Sequence, residues 1–474
     1  MKETKAVDED FVTMLTEDLN KVGETNDKGE TVLKGINNTL RITKVQEEEI
    51  KKEIINYFGK EDLAEQILKI QPLHYDKSKI WWAWNLEKLK WEMVDEVDVL
   101  NIVNHKSLAN TIIAKEKNEI IEALKQKARM NAPKPIKPTW VQFKDTIVDV
   151  DKGDEFKATP EYFVTNPIPW ELHKERFIET PVMDRIFEEW VGKDYIKTLY
   201  EILSYCLIPS YPIHRIFCFI GEGMNGKSCF LNLLRNFVGC ENVTATELDT
   251  LIASRFEVTR LHKKLVCQMG ETNFNEMSKT SLLKKLSGDD LIGLEYKNKD
   301  PFEDKNYAKI LIATNNLPTT TDKTIGFYRR WMIIDFPNMF SEKKNILEDI
   351  PEEEYSALAV KCLGIIKDLL EKRSFHKEGT IEERKEKYES KSNFLEKFIE
   401  EYTAESINEH ITSADFFKKF SAWSKENRHR EMSEQTLGRQ LKKLGLESGK
   451  KYFNWLHDGK GGQLRCWMGI KWKE

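Results

Sequence analysis

The order of apolar and polar residues predicts a central α/β segment with differently patterned flanks. An apolar run rich in Ile and Phe, Ile216 to Ile220, suits a buried strand. Beyond it Phe230, Leu231, Leu233, Leu234 and Phe237 recur at helical spacing, and Gly239 supplies a C-terminal stop. Lys264 to Glu271 and Tyr307 to Thr314 read as further strands, and another has Arg329 and Arg330 at its head. Between them Ser281 to Asp290 reads as a helix and turn, and Ile292 to Pro301 as a hairpin with lysines at its tip.

The flanks carry weaker patterns. Residues 1–70 are charged and read as helical, with Glu47 to Phe58 and Leu63 to Ile70 as the better helices and a disordered opening. Lys79 to Glu96 alternates aromatic with polar residues, which predicts a hairpin bearing Trp82, Trp84 and Trp91. Such tryptophans can stack on bases, but a small packed core is their commoner use. A lysine-rich helix, Ala109 to Met130, runs into a linker containing Pro133, Pro135 and Pro138. Val141 to Val150 reads as one strand, Asn166 to Trp170 as extended chain, and Phe177 to Leu207 as two amphipathic helices. Asp149 and Asp151 lie beside Gly153 and read as turn aspartates rather than metal ligands. A charged helix spans Thr380 to Tyr402, and a compact unit starts near Ile411. That unit reads as helices Asp415 to Glu426 and Ser433 to Leu444, then strands Lys451 to Trp455 and Arg465 to Lys473 around a glycine-rich wing.

Gly221 to Ser228 spells G-x-x-x-x-G-K-S between the first strand and its helix. Strand, glycine loop and helix together turn backbone N–H groups and a helix N-terminus toward phosphate oxygens. The candidate nucleotide contacts are Gly221, Glu222, Gly223, Met224, Asn225, Gly226, Lys227, Ser228 and Cys229. Lys227 is placed to reach the β- and γ-phosphates of ATP, and Ser228 to ligate Mg2+. Glu271, at a strand tip, is an acid that can position water and help hold the metal, although the preceding position is Gly270. Asn315 ends another strand and offers an amide to the γ-phosphate or the water. Arg329 and Arg330 lack acidic sequence neighbours, which suits contact with a phosphate held by an adjacent subunit.

Charge sharpens this picture by segment. The net charge of −5 conceals residues 416–474, where 14 Lys/Arg face 6 Asp/Glu. Arg439, Lys442 and Lys443 on the second helix of that unit are the expected DNA contacts. The seven cysteines are scattered without a C-x-x-C pair and read as reduced core thiols. No apolar run is long enough to span a bilayer, so a cytoplasmic protein without membrane contact is expected.

Taken in order, GEGMNGKS, the strand ending at Glu271, LSGDD with the lysine hairpin, ATNNLP and RRW-x-x-x-x-FP resemble the superfamily 3 helicases. The likeness is nearest to the primase-helicases of phages, plasmids and poxviruses, and spans about residues 70–474. It implies an α/β fold: an AAA+ P-loop ATPase core with an α-helical collar, a small α+β N-terminal region and a C-terminal winged helix. The corresponding ranges are 1–138, 139–207 for the collar, 208–375 for the ATPase and 376–474. It implies a homo-oligomeric ring, usually a hexamer, with ATP and Mg2+ between subunits. Glu271 would polarise water, Asn315 would be the sensor, and Arg330, in preference to Arg329, the finger supplied in trans. Lys297 and Lys299 map to a hairpin that tracks single-stranded DNA in the channel, while the winged helix meets duplex. Other replication proteins are expected partners. Gly270 departs from the family pattern and motivates an alternative, an origin-binding initiator with weak ATPase activity. Primer synthesis and nicking are not expected, since neither active site is visible.

Overall fold

A computed structural model describes residues 60–106, 114–172, 179–270, 276–277, 279–297, 299–341, 345–392, 394–426, 432–454 and 461–473. It also describes the strands Glu24–Thr25, Glu30–Lys34 and Thr39–Thr43. The chain divides into two compact units, Met1–Lys134 with Pro160–Phe163 and Pro135–Thr159 with Val164–Glu474.

In the first unit those three early strands pair antiparallel, which corrects the helical reading of that stretch. Thr31, Val32, Thr39, Ile42 and Thr43 are β-branched and favour extended backbone. Glu47 to Phe58 lies outside the described residues, and the following helix is Lys60–Ile70. The expected tryptophan hairpin forms from Trp81–Asn85 and Lys90–Val94, with Leu73–Tyr75 as a third strand. Its tryptophans are buried. Trp82 packs edge-on against Phe163 at 4.9 Å and donates to Asp76 Oδ2 at 2.8 Å, while Trp91 donates to Tyr162 O at 3.1 Å. They build a core.

The second unit opens on the strands Trp140–Phe143, Thr146–Asp149 and Asp154–Lys157. What reads as one strand from Val141 to Val150 is therefore a hairpin, reversed where Lys144 adopts φ 42°. Asp149 is buried and accepts from Trp140 Nε1 and Thr139 Oγ1, both at 3.0 Å. Burial opposes its charge, but these donors hold the carboxyl below its usual range, so Asp149 ties the turn together.

At the centre lies a five-stranded parallel sheet of β1 (Ile216–Ile220), β2 (Val243–Ala245), β3 (Val266–Met269), β4 (Lys309–Thr314) and β5 (Trp331–Asp335). The spatial order is β2-β3-β4-β1-β5. Strand periodicity sends Phe217 and Phe219 to one core and Ile216, Cys218 and Ile220 to another, so both faces are covered. The helices Pro181–Val191, Ile196–Tyr205, Glu352–Lys372 and α1 (Lys227–Val238) supply the first of these cores.

Lys309, at the start of β4, is fully buried; its ammonium donates to Ile208 O and, at 3.1 Å, to Tyr307 O. Burial pushes its pKa down to about 7. The folded value lies below the unfolded one, so between those values the unfolded chain holds the extra proton and stability rises with pH. Relative to Lys309→Met, the native chain is expected to gain up to roughly 1.4 kcal/mol per pH unit above neutrality. Urea midpoints of both proteins between pH 7 and 9 check this. Parallel profiles would refute it.

The charged stretch Thr380 to Tyr402 is two helices, α2 (Ile381–Ser392) and Phe394–Tyr402, rather than one. A strand that the sequence reading lacks, Thr403–Thr412, follows, so the last sheet begins ahead of Ile411. It pairs with Gly462–Trp472, which pairs with Ser448–Phe453, all antiparallel. The helices Ser413–Glu426 and Glu434–Lys443 lie between the first strand and the other two, and Ser433 caps the second by accepting from Thr436 N. No helix among the described residues is long and apolar enough to cross a membrane.

Candidate nucleotide site

The glycine loop leaves the C-terminal end of β1 where that strand is flanked by β4 and β5. Open α/β sheets bind ligands beyond the carboxyl ends of their strands. The chain can turn there because of its glycines. A Cβ on Gly221 would stand 1.9 Å from Asn225 Nδ2 and 2.5 Å from Phe336 O. Gly223 and Gly226 hold φ 110° and 90°, and Met224 φ 50°. The loop is pinned from the β5 side: Phe336 N donates to Ile220 O at 2.7 Å, Phe340 N to Met224 O at 2.6 Å, and Asn225 Nδ2 to Phe336 O at 3.2 Å.

Gly226 is the N-cap of α1 and has no side chain with which to close it. The first N–H groups of a helix lack intrahelical partners and carry the positive end of its dipole, which suits a phosphate. Ser228 is exposed at this turn, and Cys229 is half-buried, which pushes its thiol pKa up. Beneath the turn, a Cβ on Gly226 would come within 2.4 Å of the Trp190 ring. Gly226→Ala would combine that collision with a left-handed backbone, at a cost of roughly 2–5 kcal/mol. It is expected to lower the melting temperature and weaken binding of a fluorescent ATP analogue at least tenfold. Native values for both would contradict the geometry.

The buried Lys227 ammonium donates to Gly221 O, to Asn225 Oδ1 at 3.0 Å and to Asn315 Oδ1 at 3.4 Å. Lys227 on α1 and Asn315 at the end of β4 therefore converge on one point. Glu271 lies outside the described residues. Gly270 ends β3, and among the described atoms a Cβ there would meet nothing within 4 Å. No group of three or more His, Cys, Asp or Glu among the described residues could hold a metal. Ser228, exposed at the first turn of α1, offers one hydroxyl oxygen here, and magnesium usually keeps several waters beside one or two protein ligands.

The two arginines sit at the opposite end of the sheet. Trp331 is in register with Ile216, and Ile216 N donates to Arg330 O at 2.6 Å. The phosphate loop begins five residues farther along β1, about 16 Å away at the rise of a strand. The two arginines, of which the sequence reading preferred Arg330 as the finger, differ in packing. Arg330 is 7% exposed, and its guanidinium donates to Ser287 Oγ at 3.1 Å, to Lys284 O at 3.2 Å and to Gly326 O. Burial, then the charge of Arg329, lowers its pKa. Arg329 is exposed, so it is the arginine able to meet another molecule.

Lys297 and Lys299 are exposed in the connection between the antiparallel strands Leu291–Leu294 and Phe302–Lys305. A chain of hydrogen bonds fixes the base of this hairpin: Tyr296 OH to His262 Nδ1 at 2.8 Å, and His262 Nε2 to Asp304 Oδ2 at 3.1 Å. Lys263 Nζ donates to the same oxygen at 2.7 Å. Burial works against the Asp304 charge, yet His262 and Lys263 hold its carboxyl well below the usual range. In the last sheet's unit Arg439 and Lys442 are exposed on Glu434–Lys443, and the side chain of Lys443 lies outside those described.

Sequence reasoning missed the role of α2. Lys387 and Lys391 on this helix reach Asp335 at 2.9 and 2.8 Å, at the loop end of β5. Tyr388, buried between them, was the available signal: one large aromatic within a charged helical run.

A family model described only as a family of unknown function (DUF5906) matches residues 219–330, which include the glycine loop, the lysine hairpin and both arginines. A protein of Acanthamoeba polyphaga mimivirus, provisionally named a helicase, is 24% identical over 262 residues. That match takes in 50% of this chain and only 27% of the relative's length. Two apo structures of the NrS-1 C-terminal region have TM-scores of 0.43 and 0.44 at 14% identity, each over 86% of this chain and 98% of theirs.

Proposed function

We propose that this chain is an ATP-dependent DNA helicase that works as a ring, with ATP hydrolysed where two copies meet. The observation that carries the reading is the division of parts across the sheet. Lys227, the glycine loop and Asn315 gather at one end, and the exposed Arg329 stands at the other. A single chain cannot bring Arg329 to its own loop across about 16 Å of strand, whereas a neighbour in a ring can present it. The name of the mimivirus relative, over the part it shares, supports a helicase.

In this reading the α1 N-terminus and Lys227 bind the phosphates, and Ser228 and Glu271 hold the magnesium shell. Glu271 also orients water, and Asn315 registers the γ-phosphate. When bound there, magnesium would neutralise charge on the phosphates of the nucleotide. Arg329 completes the neighbour's site, and such an arginine acts on charge that develops in the transition state. Lys297 and Lys299 grip a single strand in the channel through phosphate contacts that ignore sequence. The C-terminal helices, strands and basic surface form a winged helix, with Arg439, Lys442 and Lys443 on duplex. The helices Pro181–Val191 and Ile196–Tyr205 form the collar.

DNA-stimulated ATP hydrolysis with strand displacement tests the reading. The Lys297→Ala/Lys299→Ala double variant is expected to keep basal turnover, lose most of the stimulation and show a flatter salt dependence of single-strand binding. Gly270 favours a second reading, an origin-binding initiator. Tight DNA binding with nucleotide bound but not turned over would select it.

A further inference from the structure

Helix α2 carries one aromatic residue, Tyr388, and its ring is fully buried. The Tyr388 hydroxyl donates to Pro318 O at 2.8 Å, three residues beyond Asn315, and Leu317 N donates to Lys391 O at 3.2 Å. The same ring packs on Trp331 at 4.8 Å, Phe327 at 5.1 Å and Tyr328 at 5.8 Å, the residues on both sides of the arginine pair. Tyr328 OH in turn donates to Glu389 Oε1 at 2.9 Å. At the other end of β5, Lys387 and Lys391 bracket Asp335. One side chain therefore touches both the loop that follows Asn315 and the segment that carries Arg329.

We propose that Tyr388 is a positioning residue that couples the Asn315 loop to the placement of Arg329. A subunit's own nucleotide then sets how well it presents its arginine to the next subunit. This rests on the reading that ATP is hydrolysed between copies. Close-packed side chains do not deform continuously, so a shift of the Asn315–Pro318 loop must be taken up by α2 and passed to the aromatic cluster. The Tyr388 hydroxyl is the directional part of the link. Without it Pro318 O is a buried acceptor that loses its donor, while the ring contacts remain.

Tyr388→Phe in the full-length chain with DNA tests this, because it removes one oxygen and keeps the packing. Nucleotide affinity is expected to stay close to native, and the melting temperature to fall by no more than the loss of one buried hydrogen bond accounts for. Turnover is expected to fall about tenfold with KM little changed. The Hill coefficient for ATP is expected to lie above unity in the native chain and to drop to unity in Tyr388→Phe. Native turnover and cooperativity in Tyr388→Phe would overturn the proposal and leave the ATPase reading standing. Loss of activity with nucleotide affinity lost as well, or with the chain partly unfolded at the assay temperature, would overturn it too, since that marks a structural role alone. A native chain with no ATP turnover would overturn both.

Discussion

Lys227→Ala is expected to lower ATP turnover by about 10²–10³-fold, the range set by losing one preorganised charge donor. The reason is position. The ammonium is buried, and Gly221 O, Asn225 Oδ1 and Asn315 Oδ1 hold it between the loop and β4. Truncation also leaves those oxygens without their donor, so a lowered melting temperature is expected beside the lost turnover. Phosphate-release kinetics beside a melting curve separate the two effects. Turnover within about threefold of native, given native binding of nucleotide, would deny Lys227 its role.

Arg329→Ala is expected to lower turnover at least as far, by about 10³-fold or more, with the fold and nucleotide binding intact. Arg330→Ala is expected to act differently. Its guanidinium is buried against Ser287 Oγ, Lys284 O and Gly326 O, and its loss leaves those groups without their donor. Leaving buried acceptors without their donor costs roughly 1–3 kcal/mol, so Arg330→Ala should show first as a lowered melting temperature. Melting curves and ATPase assays on both variants divide a reactive arginine from a structural one. A stable, inactive Arg330→Ala beside an active Arg329→Ala would reverse the assignment.

The sheet was legible where burial leaves a plain mark. Ile216 to Ile220 and Lys309 to Thr314 are buried on both faces, so they read as continuous apolar runs. The loop was legible because G-x-x-x-x-G-K-S needs its glycines for backbone reasons that Gly221 and Gly226 display. Thr403–Thr412 was not, because it buries little beyond Thr403 and Ile411 and leaves Ile407 97% exposed. The reversal at Lys144 was hidden for another reason. No Gly or Pro marks it, and a lysine takes the positive φ. The arginines were found as a pair, but the burial of Arg330 was not legible, since Ser287 and Lys284, which bury it, lie 43 and 46 residues away. Tyr388 escaped for the same reason, with its acceptor Pro318 70 residues distant. Local pattern reports which residues are apolar or charged; it does not report which distant backbone oxygen consumes a given donor.

The claim on which the rest depends is that one copy supplies the cradle and another the arginine, and subunit mixing tests it most directly. Lys227→Ala and Arg329→Ala chains, each inactive alone, are combined with DNA and ATP, and phosphate release is followed against mixing ratio. Recovery of turnover, greatest near equal proportions, is the predicted result, because an Arg329→Ala cradle then meets an intact arginine from a Lys227→Ala neighbour. A mixture as inactive as its parts, although mixed oligomers form, would contradict a shared site.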